Sequence, residues 1–170
     1  MFSIKKISML GLLLALGIII PSILGHLTGL GLVLLPIHFP VFIVGYIYGP
    51  TIGLIYGIIL PIFSHLLTGM PSTLMLPILV IELLTYGLSI GLINKYTNYN
   101  IYIKIITSMI LGRISRYILT YILIYYLSLI KYTYLLNILD TTIIGSIGII
   151  LQLLLLPRLF IIVKKYYDKY

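Results

Sequence analysis

The stretch LMLPILVIELLTYGLSIGLI, residues 74–93, decides the fold class of this chain. It contains one charged side chain, Glu82, and an α-helix of this length spans the ~30 Å hydrocarbon core of a bilayer. Comparable apolar runs predict six transmembrane helices, at residues 7–24, 32–48, 52–67, 74–93, 101–129 and 135–163. We therefore predict an all-α integral membrane protein in which residues 1–170 form a single six-helix membrane domain.

The composition of the 170 residues excludes a water-soluble enzyme. Hydrophobic residues make up 61% of the chain and charged residues 8%, whereas soluble domains average about 45–50% and about 25%. So few charges cannot cover the surface of a soluble globule of this size. The apolar runs are continuous and lack the alternation of a lipid-facing barrel strand, so we expect helices rather than a β-barrel.

The distribution of lysines predicts the orientation of the chain in the membrane. If the N-terminus is cytoplasmic, the outside loops hold only Lys131, so the positive-inside rule places both termini in the cytoplasm. We interpret the first span as retained rather than as a cleaved signal peptide, because residues 22–25 lack a clear small-x-small cleavage site. The lysines on the inside are Lys5, Lys6, Lys95, Lys104, Lys164, Lys165 and Lys169.

The formal net charge of +8 does not indicate a nucleic-acid partner. The basic residues lie mostly at the ends of apolar runs and form no patch with interleaved aromatic side chains. The chain contains no cysteine, which excludes disulfides, iron–sulfur clusters and thiolate metal sites. We therefore expect the lipid bilayer to surround the chain, and we expect neither nucleic acid nor a cofactor to bind it.

Three charged residues lie deep within predicted spans, where each is costly unless it is paired or hydrated. Glu82 is in the fourth span, and Arg113 and Arg116 are in the fifth. Since these spans are neighbours, we predict a Glu82–Arg113 ion pair. Arg116 lies on the same face one turn away, with no second acid at its depth. It either helps to bind an anionic ligand or forms a structural pair with Asp140 or a carbonyl group.

The three histidines, His26, His38 and His65, all fall near the predicted outer face. Imidazole is a common metal ligand, but no HExxH or HxH spacing supports a metal site, and we expect none. His38 and His65 are candidates for hydrogen bonds to a substrate or to a loop. The remaining alternative is a purely structural role for these histidines.

Pairs of small residues at a spacing of four mark surfaces for close helix packing. Each pair forms a strip of small residues along one face of its helix, and we expect the strips of the third and fourth spans to pack within the bundle. In the first span, the strip presents a flat surface to a partner helix. The three pairs are Gly11 and Ala15, Gly53 and Gly57, and Gly87 and Gly91.

Several of these segments together resemble the substrate-binding (S) component of an energy-coupling-factor (ECF) vitamin transporter. The most specific block is LPIHFPV at residues 35–41, followed by Gly45, Gly49-Pro50, Gly53, Gly57, Pro61 and LTGMP at 67–71. The segment IELLTYG at 81–87 and Gly112-Arg113 are similar to the fourth and fifth spans of the family. The resemblance covers roughly residues 7–160. The chain departs from the family in the polar loop 94–100, and in Gly11 where alanine is usual.

The resemblance implies a multi-pass subunit of the prokaryotic plasma membrane that captures a vitamin or related micronutrient outside and delivers it inside. Its partners would be a transmembrane coupling protein, contacted through Gly11 and Ala15, and two cytoplasmic ATPases. The chain itself would not be an enzyme, and it contains no G-x-x-x-x-G-K-[ST] motif. The ligand would lie under the loops at residues 25–31, 68–73 and about 130–137. The candidate substrate-binding residues are Arg116, His38, His65, Glu82 and Arg113, and the positive charge of the cavity favours an anion such as pantothenate or a folate.

The alternative is a self-contained secondary transporter or a small channel. Such a protein needs an intramembrane titratable relay, and Glu82 is the only acid at mid-depth in the predicted spans. Secondary transporters also commonly carry inverted repeats, and the sequence shows no convincing internal repeat. A membrane enzyme is the third hypothesis, and no base–nucleophile or multi-ligand metal constellation supports it.

Overall fold

The computed structural model describes residues 4–28, 34–125 and 145–169. Within these ranges, the regular elements are helices and there is no strand, which confirms the predicted all-α fold class. The helices are α1 (Ile4–Thr28), α2 (His38–Tyr48), α3 (Pro50–Thr68), α4 (Leu76–Tyr96), α5 (Ile101–Tyr125) and α6 (Ser146–Lys169).

Four of these helices are long and apolar enough to cross a membrane, at Ile4–Gly25, Pro50–Thr68, Leu76–Tyr96 and Ser146–Lys165. Helix α2 has 11 residues, and at ~1.5 Å per residue it is too short to cross the ~30 Å core alone. Helix α5 has 25 residues but carries Lys104, Arg113 and Arg116 along its length. The chain is thus a multi-pass membrane protein, while the six-span topology and the cytoplasmic termini stay predictions.

Helix α2 begins at residue 38, inside the predicted second span 32–48, of which residues 32 and 33 lie outside the described part of the chain. Residues 35–37 form a turn instead, and Leu35 has a φ of 50°, in the left-handed region. Pro36 accounts for the break, because a proline disfavours the right-handed helical conformation in the residue before it. The Leu35 carbonyl accepts a hydrogen bond from the backbone N–H of His38 at 3.2 Å. His38 therefore becomes the first residue of α2.

The Gly49-Pro50 dipeptide separates α2 from α3. Gly49 has a φ of 88°, which glycine adopts without a steric penalty, and Pro50 occupies the first turn of α3, where its missing N–H costs nothing.

The ends of two predicted spans, residues 126–129 and 135–144, lie outside the described residues. Helix α1 extends beyond the predicted span 7–24 at both of its ends.

Helix α4 packs against α3, α5 and α2 and forms the centre of the described bundle. Backbone contacts between glycines allow this close approach. A Cβ added to Gly87 would meet the backbone of Gly53. A Cβ added to Gly53 would meet the Gly87 carbonyl and the Gly45 Cα. A Cβ on Gly57 or Gly91 would likewise meet backbone atoms of the neighbouring helix or its connection. The predicted packing role of the α3 and α4 strips is therefore confirmed.

The strip on α1 has the opposite environment. Gly11 and Ala15 are exposed, and a Cβ added to Gly11 would meet no atom within 4 Å. The inward face of the same helix packs elsewhere, since Gly17 lies against the side chains of Leu60 and Pro40. The small-residue face of α1 thus points away from the described bundle.

Replacing Gly87 with alanine is expected to lower the melting temperature of the protein. The added Cβ overlaps the backbone of Gly53, and overpacking of this kind costs about 1–3 kcal/mol. Gly11→Ala is the matched control, because it makes the same change in a helix at a site with open space. Thermal unfolding of both variants in detergent micelles gives the comparison. An unchanged melting temperature for Gly87→Ala would contradict the close packing of α3 on α4.

Candidate functional site

A buried cluster of charged side chains joins α4 to α5. The Glu82 carboxylate is fully buried, and its Oε2 accepts a hydrogen bond from Arg116 Nη1 at 3.0 Å. Its Oε1 lies 3.4 Å from Arg113 Nε and accepts a hydrogen bond from the Tyr86 hydroxyl at 2.8 Å. One buried carboxylate therefore contacts two guanidinium groups, which are largely buried, and one phenol.

Helical spacing brings these groups together. Glu82 and Tyr86 are four residues apart on α4, and Arg113 and Arg116 are three apart on α5, so each pair shares one face of its helix. The Tyr86 ring packs on Phe42 of α2, with ring centres 4.9 Å apart. Gly112 makes room for this ring, because a Cβ at that position would overlap Tyr86 atoms.

The sequence predicted part of this cluster. The predicted Glu82–Arg113 pair is present. The sequence left an anionic ligand, Asp140 or a carbonyl group as partners for Arg116, and the structure gives it a contact with Glu82 that is shorter than that of Arg113. A carboxylate has two oxygens with several lone pairs, so one acid is enough for both arginines. The alternative partner, Asp140, lies outside the described residues.

His38 also reaches the cluster, and it is 2% exposed. Its Nδ1 donates a hydrogen bond to the Leu35 carbonyl at 3.0 Å, since a carbonyl can only accept. Its Nε2 faces Glu82 Oε1 at 3.8 Å, and its ring lies 5.4 Å from the Tyr86 ring. The predicted substrate candidates His38, Glu82, Arg113 and Arg116 therefore meet at one place.

His65 has a different environment. Its Nδ1 donates to the Pro71 carbonyl at 2.6 Å, and the neighbouring Ser64 hydroxyl donates to the Met70 carbonyl at 2.8 Å. These bonds tie the segment after α3 to the end of that helix. Of the two hydrogen-bonding partners predicted for His65, a substrate or a loop, the structure provides the loop. The side chain of His26 lies outside the described part of the structure.

A cavity of about 440 Å³ lies against this cluster. His38, Glu82 and Arg116 line it, whereas Arg113 and His65 do not. Part of its walls lies in the segments 35–41 and 67–71 that carried the family resemblance, whereas the apolar wall residues of α4 carry no distinguishing signal in the sequence. The apolar walls come from α1, from α4, from the turn before α2 and from the segment that follows α3. They include Pro21, Leu35, Met70, Met75, Ile78 and Leu79.

Two segments that the family resemblance placed over a ligand contribute to this cavity. Gly25, at the end of α1, lies against Met70, since a Cβ at Gly25 would come within 2.9 Å of the Met70 sulfur. Pro71 and Ser72 line the cavity from the same segment as Met70. The third segment, residues 130–137, lies outside the described residues. The arrangement is an apolar chamber with one charged, hydrogen-bonding wall.

Replacing Glu82 with glutamine is expected to lower the stability of the fold. Two buried arginines then lose their counter-charge, and removal of one partner from a buried ion pair costs about 3–5 kcal/mol. Thr85→Val on the same helix is the control, because it removes one hydrogen bond to Ile81 and leaves the charges intact. Melting curves measure both effects. A Glu82→Gln variant that melts with the control would show that the cluster is not holding α4 and α5 together.

No curated protein and no solved structure matches the chain. A family model does match, over residues 5–163, and its description is "ECF transporter, substrate-specific component". The match includes every helix that contributes to the cavity and to the buried cluster. This apolar, multi-helix membrane protein therefore belongs to the ECF transporter substrate-specific component family.

Proposed function

We propose that this chain captures a vitamin-like small molecule outside the cell and delivers it inside with an ATPase module. The observation that carries the proposal is the cavity next to Glu82. Its volume of about 440 Å³ falls within the ~300–1,000 Å³ of small-molecule sites, and it combines apolar walls with a few convergent polar groups. A substrate-specific subunit needs such a chamber.

Helix directions support capture from the outside. If the N-terminus is cytoplasmic, α1 and α3 both run outward, and the cavity lies at their carboxyl ends, near Gly25 and Ser64. Basic side chains lie at the other ends of the helices: Lys6 is over the ring of Tyr48, 5.1 Å from its centre, and Lys95 is in the last turn of α4. The positive-inside rule assigns that end to the cytoplasm of a prokaryotic cell.

The charges near the cavity favour an anion over a cation as substrate. Glu82 contributes one negative charge, and Arg113 and Arg116 contribute two positive charges, within a single cluster of the described residues. Arg116 lines the cavity while Glu82 orients its guanidinium. We propose that Arg116 and His38 contact the substrate, that Glu82 holds Arg116 in place and pairs with Arg113, and that His65 shapes the cavity through residue 71. Pantothenate and folates carry the appropriate charge.

The exposed strip on α1 supports a membrane partner. Gly11 and Ala15 are exposed, and their small size allows a second helix to approach closely at these two positions. We propose that a transmembrane coupling protein docks here and that two cytoplasmic ATPases supply the energy. In this arrangement the chain binds substrate, and its partners hydrolyse ATP.

The double substitution Gly11→Leu and Ala15→Leu is expected to reduce recovery of the ATPase subunits at least tenfold in a pull-down of the tagged protein. Leucine side chains hold a partner helix away from the strip, and a tenfold loss corresponds to about 1.4 kcal/mol of binding energy. Thr107→Leu is the control, because it places a leucine at an exposed position of α5, away from the strip. Mass spectrometry identifies the recovered subunits. Equal recovery of the ATPases by the double variant and the control would contradict docking at this strip.

A reconstitution experiment tests the proposed function itself. Native mass spectrometry of the purified protein first identifies a compound that co-purifies with it. Proteoliposomes that contain the chain alone should then bind this compound without concentrating it, whereas addition of the coupling protein, the ATPases and ATP should drive accumulation. Accumulation by the chain alone, under an ion gradient, would support a self-contained secondary transporter instead.

A further inference from the structure

Arg158 lies on the outward side of α6, within the part of the helix that spans the membrane, and its side chain is exposed. The positions three and four residues away on either side share its face of the helix. All four carry exposed apolar side chains, and with Arg158 they form a surface that we call the Arg158 face: Leu154, Leu155, Ile161 and Ile162. The buried side of α6 includes Gln152, Leu156 and Phe160. One guanidinium group therefore stands in an otherwise apolar, outward surface.

Arg158 lies well inside the span rather than at its end. The spanning segment ends at Lys165, seven residues further along the helix, which corresponds to a rise of ~10 Å. The exposed lysines Lys164 and Lys165 mark the level of the membrane–water interface. In an α-helix the Cα–Cβ bond tilts toward the N-terminus, so the Arg158 side chain leaves the helix in the direction away from Lys165. The positive charge is therefore held at the depth of the hydrocarbon region.

The described residues supply no counter-charge to Arg158. It takes part in none of their ion pairs. The carboxylate of Glu82 is fully buried, and Asp168 lies ten residues further along α6, a rise of ~15 Å. Asp140 precedes α6 in the sequence and lies outside the described residues. A guanidinium group keeps its proton in proteins, and an unpaired charge inside a membrane is costly. An anionic group from another molecule would compensate it.

We propose that a transmembrane helix of the coupling protein docks on the Arg158 face and places a carboxylate against Arg158. A guanidinium group forms bidentate, charge-assisted hydrogen bonds with a carboxylate, and the apolar side chains around it provide a surface for helix packing. Helices α1 and α6 both pack on α2, so the Arg158 face and the strip of Gly11 and Ala15 border the same helix. The proposal rests on the proposed function, because it takes the partner to be the coupling protein.

The depth and the charges disfavour two other occupants of the Arg158 face. The phosphate of a lipid in the cytoplasmic leaflet lies near the level of Lys165, whereas the Arg158 side chain leads away from that level. A second copy of this chain would have to present an acid at the depth of Arg158. Among the described residues, Glu82 is buried and Asp168 is in the last turn of α6. A different membrane protein with an acidic residue inside a span fits the face best.

A photo-crosslinker on the Arg158 face identifies the occupant while Arg158 stays intact. Benzoylphenylalanine is introduced in place of Ile161 in cells that contain the coupling protein and the ATPases. The same probe in place of Ile110, which is exposed on α5, is the control. We expect light to link position 161 to a peptide of the coupling protein that contains an acidic residue, and position 110 not to form this link. Links only to lipid, links only to a second copy of this chain, no link, or equal linking from both positions would overturn the proposal.

Removal of the charge tests the ion pair itself. We expect Arg158→Leu to reduce recovery of the ATPase subunits about tenfold in the pull-down, because the carboxylate of the partner is left unpaired. Arg158→Lys should give intermediate recovery, since lysine keeps the charge but loses the bidentate geometry. Lys165→Leu is the matched control, because it removes a positive charge from the same helix near the interface. Since Arg158 is exposed, Arg158→Leu should retain the melting temperature of the unsubstituted chain.

The same pull-down separates this contact from the proposed function. Equal recovery of the ATPases by Arg158→Leu and Lys165→Leu would overturn the ion pair. If Gly11→Leu with Ala15→Leu still abolished recovery in that case, the proposed function would stand without the contact on α6. If the unsubstituted chain recovered no ATPase subunits, the proposed function would fail, and the contact with the coupling protein would fail with it.

Discussion

The Glu82 carboxylate lies fully buried between α4 and α5, where it contacts both arginines of α5. A fully buried carboxylate in a chain with 61% hydrophobic residues is stable only if other groups compensate its charge and its lone pairs. Arg113, Arg116 and Tyr86 provide that compensation. Their positions fix the rotation of α5 relative to α4, and they place a polar wall beside an otherwise apolar cavity.

Close helix packing makes this arrangement possible. Gly53 and Gly87 bring the backbones of α3 and α4 into contact, and Gly112 leaves space for the Tyr86 ring. A larger side chain at any of these positions would move α4 or Tyr86 and displace the carboxylate from its donors. The glycines are therefore part of the site, although none of these three lines the cavity.

The sequence was enough to predict the helical class, because long apolar runs have few other solutions in a membrane. It also identified Glu82, Arg113, Arg116 and His38, since charged and polar groups are rare in such runs. The pairing was harder to predict: which oxygen each arginine reaches depends on helix rotation, which residue spacing does not determine. The late start of α2 follows from Pro36, but the left-handed conformation of Leu35, whose carbonyl accepts a hydrogen bond from His38, has no clear sequence signal. The apolar cavity walls on α4, such as Met75, Ile78 and Leu79, had no signal either.

A double-mutant cycle measures the energetic coupling between Glu82 and Arg116. The free energy of unfolding is measured for Glu82→Gln, Arg116→Gln, the double variant and the unsubstituted chain in the same detergent. The two side chains are hydrogen-bonded at 3.0 Å in a buried site. We therefore expect the double variant to lose about 1–3 kcal/mol less unfolding free energy than the sum of the losses in the two single variants. Losses that add to within about 0.5 kcal/mol would contradict the claim that Glu82 organises this site.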